Sequence, residues 1–171
     1  MAMKTFSRKR KKSDYRAQAM VEFAIALPVL LLLLFGIMEV GRLMLTYAMV
    51  VNASRDAVRY ASAVGRGDDG LFKYNNCAGI KQAAIRSTYN FVKILPSNIS
   101  ISYVDENGNN PKVCDEPSGE DPDITVKSKY RVTVQVTANY TRLVTLIPIP
   151  SRSITSTSTR TILGIYELPN P

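Results

Sequence analysis

The apolar and polar positions divide the chain into a long helical first third and an alternating remainder. Phe23 to Met38 runs without a single charged residue. A membrane-spanning helix needs about 20 mostly apolar residues. Extension from Met20 through Gly41 reaches that length, with Glu22 and Glu39 near its two ends. Pro28 lies inside the run, where it removes one backbone donor and crowds the carbonyl of Ala24, so a kink or local break is predicted there. Beyond Gly41 the pattern becomes an amphipathic stripe. Leu43, Tyr47, Val50, Ser54, Ala57 and Ala61 recur at three- and four-residue steps, with Asn52, Arg55, Asp56 and Arg59 on the opposite face. Gly65-Arg-Gly67-Asp-Asp-Gly70 stops the stripe near Val64. Counted from Gln18, one helix of about 47 residues would be roughly 70 Å long, more than twice the hydrocarbon thickness of a bilayer.

A second helix is predicted from the Asn75-Asn76 cap to Pro96, with Cys77, Ile80, Ala84, Phe91 and Leu95 on its buried face. The period then changes to two. Ile99, Ile101 and Tyr103 alternate with serines. Val132, Val134, Val136, Ala138 and Tyr140 alternate with Arg131, Thr133, Gln135, Thr137 and Asn139, which gives one buried and one wet face. Ser153 to Leu163 is rich in Ser and Thr on both faces and reads as a third, edge strand. Residues 105–123, full of acids and turn formers, read as a loop. The expected fold is α+β: a long N-terminal helix under a small head made of a second helix and an antiparallel sheet.

Charge decides what the apolar run is for. The chain carries a net +8, but residues 1–16 hold seven bases against Asp14, so most of the excess lies directly before the apolar helix. The positive-inside rule explains such a run better than a nucleic-acid surface does. It puts the N-terminus in the cytoplasm and the head outside. A secretory signal has a shorter core and a small-residue cleavage site after it. Here Glu39-Val-Gly-Arg42 continues the helix, so the stretch is expected to stay as an anchor, with a polar, disordered leader in front. Outside the cytoplasm, Cys77 and Cys114 have the surroundings for a disulfide, with two unpaired thiols as the alternative. That bond would close a loop of about 38 residues, for roughly 3–4 kcal/mol in the chain-entropy model.

Chemistry narrows the function further. The chain has no histidine, so histidine-based triads and zinc sites are impossible, and no phosphate or dinucleotide fingerprint occurs. No cofactor is expected. Asp105, Asn107, Asn109 and Glu116 match four positions of a calcium loop, but Asn110 stands where the loop needs glycine, and a solvated turn is the simpler reading. Glu39 and Arg42 share a helix face and can pair, within the subunit or between subunits. Gly36 and Gly41 offer only a weak close-packing signal. Leu143-Val-Thr-Leu-Ile-Pro-Ile-Pro150 reads either as a loop over the core or as an apolar patch for a neighbouring subunit. Glu22, a carboxylate at the edge of a membrane helix, is a functional candidate by default.

Arg16-Ala-Gln18-Ala-Met-Val-Glu22-Phe-Ala, then an apolar run with Pro28, then Gly36-Ile-Met-Glu39-Val-Gly41-Arg42, closely resembles the start of TadE-like pilins. These are minor pilins or pseudopilins of the tight-adherence (Tad) pilus, within the wider type IV pilin group. The resemblance covers about residues 14–64. It implies that a prepilin peptidase cuts between Ala17 and Gln18, which makes Glu22 the fifth mature residue and the partner of a neighbour's N-terminal amine. The residue before the cut is usually glycine in that family, and here it is Ala17, the next smallest side chain. The implied division is a leader at 1–17, a spine at 18–64 and an extracytoplasmic head at 65–171. The implied partners are the peptidase, other pilins and pseudopilins, the inner-membrane assembly platform and membrane lipid, in a homo- or hetero-oligomeric filament used for adhesion. Two other functions remain open: a major filament-forming pilin, and an uncleaved single-pass protein whose head binds a partner outside the cell.

Overall fold

A computed structural model describes residues 11–67, 70–89, 91–109, 111–114, 129–143 and 150–163, with the side chains of the first helix from Tyr15 onward. Helix α1 spans Lys11–Ser62, 52 residues, or about 78 Å of rise. It starts earlier than expected: residues 11–16, read as disordered leader, are helical. Extending an existing helix costs little, and Lys, Arg and Ala are good helix formers. The helix also continues through Pro28 without a break. A proline removes one donor from the ladder, and the bonds on either side carry the helix across.

Helix α2 spans Cys77–Arg86. Asn76 caps it as expected, its side-chain oxygen accepting from the Gly79 N–H at 2.7 Å. The expected end at Pro96 is wrong. At the C-terminal end, the Ser87 hydroxyl donates to the Ala84 carbonyl and the Thr88 hydroxyl to that of Ile85. Tyr89 then enters the left-handed region at φ 47°. Short polar side chains that bond nearby backbone favour such an exit over a further turn. Phe91 and Leu95 are consequently exposed, and Ile94 occupies the core instead.

The sheet is antiparallel with order β2-β1-β3-β4. Its strands are β1 (Ile99–Val104), β2 (Lys112–Val113), β3 (Arg131–Tyr140) and β4 (Arg152–Thr161). Strands β1, β3 and β4 lie where the alternation put them, and β4 is an edge. Strand β2 was missed. It pairs Ser102 with Val113 and Tyr103 with Lys112, inside the stretch read wholly as loop. Two residues are too few to show a period. The observed α+β architecture matches the expected one, with a long apolar helix, a second helix and an antiparallel sheet.

The core lies between the sheet and the two helices. Val50, Ala53, Ala57, Val58 and Ala61 of α1 pack with Ile80 and Ala84 of α2 and with Ile101, Tyr103, Val132, Val134 and Val136 of the sheet. The alanines leave room for close approach. Gly79 does the same where α2 meets α1: a methyl group there would lie 2.7 Å from the Tyr60 hydroxyl. Tyr47, expected on the packed stripe, is exposed. Continuous cover by the head begins only at Val50.

Strand β4 explains the one polar residue in the buried stripe. The Ser54 hydroxyl is within 3.0 Å of Ser156 Oγ and 2.9 Å of Ser158 Oγ. The inner face of an edge strand that looked polar on both sides is therefore bonded to the helix. The outer face carries threonine pairs across the β3–β4 ladder, Thr133 with Thr159 at 3.0 Å and Thr137 with Thr155 at 3.1 Å.

Candidate functional site

The inner half of α1 is bare. Val21, Phe23, Ile25, Val29, Leu30, Leu33 and Leu34 are all exposed, and among the described residues the most apolar window of the helix is uncovered. A surface this apolar and this long is unlike the outside of a water-soluble monomer. It fits a single-pass membrane protein. Glu22 sits at the N-terminal end of this surface. Its Oε1 accepts from Gln18 Nε2 at 3.0 Å, one helical turn back. Ala17 and Gln18 lie on the same continuous helix and are exposed. A shallow apolar groove lined by Glu22, Phe23, Ala26, Leu27, Leu30 and Leu33 runs down from this point.

At the other end of the apolar run, Glu39 is fully buried. The helix places it where β3 ends. The Tyr140 hydroxyl donates to Glu39 Oε1 at 2.5 Å and the Leu143 N–H donates to the same oxygen at 3.0 Å. Arg42 Nη1 faces Oε2 at 3.4 Å, and its guanidinium lies 5.8 Å from the centre of the Tyr140 ring. The Glu39–Arg42 pair is thus present within the subunit, but the head supplies most of what satisfies the acid. Burial, and then the bond to Glu39, hold the Tyr140 phenol above its ordinary range, so it stays a neutral donor. Sequence reasoning missed Tyr140 and Leu143 as partners of Glu39. The alternation marked Tyr140 as inward, but no local signal joins residues 101 positions apart.

Cys77 and Cys114 form a disulfide with Cα atoms 6.0 Å apart, linking the start of α2 to the end of β2. Both are buried. Beside them the Tyr103 hydroxyl donates to the Tyr74 carbonyl at 2.6 Å. The calcium candidates are differently arranged. Asp105 Oδ1 accepts from the N–H groups of Asn107 at 3.0 Å and Asn109 at 2.7 Å, which makes a tight turn at Gly108. Glu116 lies outside the described residues. Among the described residues, no three His, Cys, Asp or Glu side chains are grouped to hold a metal. Leu143 is exposed, and residues 144–149 of the apolar run also lie outside the described residues.

Residues 17–59 match the model of a protein family described as TadE-like protein. The match takes in Ala17, Gln18, Glu22, Glu39 and Arg42 and ends within α1, covering about a quarter of the chain. It supports a TadE-like, pilin-like protein associated with the Tad pilus, a system in which such chains are structural components. No curated protein and no solved structure matches the chain.

Proposed function

We propose that this chain is a TadE-like minor pilin or pseudopilin. Its precursor inserts with the leader in the cytoplasm and the head outside. A prepilin peptidase removes residues 1–17, leaving a spine at 18–64 and a head at 65–171. The processed subunit then joins other pilins at the inner-membrane assembly platform, to build, prime or cap a pilus used in adhesion. The observation that carries this reading is the division of α1. One half is an uncovered apolar rod with an acid near its tip, and the other half is a wall of the head's own core. A rod of this kind is complete only in lipid or among other helices.

The role of Glu22 follows from dielectric. In a dry helical bundle an unpaired carboxylate is costly, and an amine from the next subunit both pairs it and fixes the axial register. Gln18 supplies that amine after cleavage. Before cleavage, the bond to be cut lies in a helix whose residues are exposed at that point. A peptidase acts on extended backbone, and an unsupported helix end opens at low cost.

The test is the N-terminal sequence and intact mass of the protein from membranes with and without active prepilin peptidase. A start at Gln18 that depends on the peptidase is expected. A start at Met1 or Ala2 in both strains sinks the pilin mechanism and leaves an uncleaved anchored binding protein. Abundance in sheared filaments separates a minor from a major subunit. In the processed protein, Glu22→Ala is expected to lower co-purification with other pilins about tenfold or more, in line with the loss of a buried ion-pair partner. The near-ultraviolet circular dichroism of the head should not change. Undiminished co-assembly would remove Glu22 from this role.

A further inference from the structure

The base of the head lies at a depth where α1 is still apolar on its uncovered side. Glu39 is buried beneath the end of β3, where the Tyr140 hydroxyl and the Leu143 N–H bond to it. Beyond it Val40, Met44, Leu45 and Tyr47 are exposed, and no charged residue stands between Arg42 and Arg55. Met20 to Gly41 rises about 33 Å along the helix, close to the roughly 30 Å of a bilayer's hydrocarbon core. The next six residues, to Tyr47, rise about 9 Å, close to the roughly 5–8 Å of one headgroup layer. A tyrosine at that depth is usual for a spanning helix. With the bilayer so placed, Glu39 and the residues bonded to it stand at the boundary between acyl chains and headgroups.

Three arginines gather at the same level. Arg42 lies on α1, its guanidinium 5.8 Å from the centre of the Tyr140 ring. It gives one nitrogen to Glu39 at 3.4 Å and leaves 35% of its side chain exposed. Arg142 precedes Leu143, and Arg152 stands opposite Tyr140 in the β3–β4 register. Both are exposed, and among the described residues neither makes an ion pair. Leu143 is exposed beside them. The acids described next to the sheet are at its other end: Asp105 and Glu106 follow Val104, which pairs with Arg131. We propose that this end of the head docks on the membrane that α1 spans, with Arg42, Arg142 and Arg152 binding the phosphates of anionic lipids and Leu143 entering the acyl boundary. Guanidinium groups fork onto phosphate oxygens, and a long arginine side chain reaches the headgroups while its stem stays among apolar neighbours. Such anchors set the tilt and rotation of a spanning helix, and through it the direction in which the head faces. The docking rests on α1 spanning a bilayer and needs neither cleavage at Ala17 nor a pilus.

The chain has no tryptophan, so single substitutions place one fluorophore at a chosen depth. For the test, the full chain is reconstituted in vesicles of phosphatidylglycerol and phosphatidylcholine with brominated acyl chains. Leu30→Trp, in the middle of the apolar run, reports insertion of the helix. Leu143→Trp reports the base of the head, and Val113→Trp the remote strand β2. Leu143→Trp is expected to be quenched about twofold or more, most strongly by bromines near the headgroup, and Val113→Trp hardly at all. Adding Arg142→Glu and Arg152→Glu to Leu143→Trp should reduce that quenching by about half or more, while Arg142→Lys with Arg152→Lys should keep most of it. The loss should shrink in vesicles of phosphatidylcholine alone, which carry no net negative charge. A quenched Leu30→Trp with an unquenched Leu143→Trp would overturn the docking and leave the span standing. An unquenched Leu30→Trp would overturn both. Equal quenching with and without the charge reversal, or an equal loss in phosphatidylcholine alone, would also overturn the docking as proposed.

Discussion

Glu39→Leu is expected to lower the midpoint of thermal unfolding of the head by about 10 °C, and Glu39→Gln by less than half as much. Leucine fills much of the space but accepts no hydrogen bond. It leaves the Leu143 N–H without its acceptor and the Tyr140 hydroxyl with only the 3.3 Å contact to the Glu39 carbonyl. Buried donors without acceptors carry a desolvation cost that replacement by an isosteric polar group avoids. Glutamine keeps one side-chain oxygen for Tyr140 and Leu143 and loses the charge and the second acceptor facing Arg42. The chain has no tryptophan and nine tyrosines, so near-ultraviolet circular dichroism of the tyrosines in detergent is the natural probe. Equal melting of the two variants would mean that the hydrogen bonds at Glu39 do not hold the head to the helix. Tyr140→Phe is the companion change: it leaves the carboxylate its Leu143 and Arg42 contacts and should melt between wild type and Glu39→Leu.

The second large effect is covalent. Changing Cys77 and Cys114 together to serine is expected to cost about 3–4 kcal/mol, from the entropy of the closed loop between them. The loop ties α2 to the short strand β2, which has only two paired residues of its own. Urea unfolding should show the midpoint falling. Reductant should reproduce the shift in the wild type and do nothing to the double variant. An unchanged midpoint in reductant would mean the bond constrains the native head without stabilising it. A loss of this size is a large fraction of a small domain's stability.

The parts of the fold that could be read from the sequence are those with a repeat. Val132 to Tyr140 alternates without exception, and every second residue is buried as the pattern required. The stripe from Val50 to Ala61 likewise marks the wall of the core. What could not be read depends on contacts or on local chemistry that periodicity ignores. Phe91 and Leu95 fall at helical spacing from Ala84, yet Ser87 and Thr88 take the backbone out of the helix before either is reached. Ser54 looked like a polar interruption in an apolar face until Ser156 and Ser158 were seen opposite it. Glu39 was legible as an acid at the end of an apolar run and as a partner of Arg42. Its burial was not, because that is created by Tyr140 and Leu143, far along the chain. The site at Glu22 is the reverse case: among the described residues only Gln18 engages it, so its partner is a question about neighbours.

The order in which the core is assembled has a consequence for biosynthesis. The wall that α1 contributes is made first, and the strand that covers Ser54 is made last, more than 100 residues later. Contacts so distant in sequence form slowly, because a long loop must close before they contribute. Whichever side of the membrane the head occupies, it reaches its final packing only after nearly all of the chain has emerged there. Until then Val50, Ala53 and Ala57 stand uncovered on a helix whose other half is already bare. A ribosome that stops before Arg152 leaves behind a chain with an open core and a β3 paired only on its β1 side. Quality control at the membrane can recognise such a product by its exposed apolar spine.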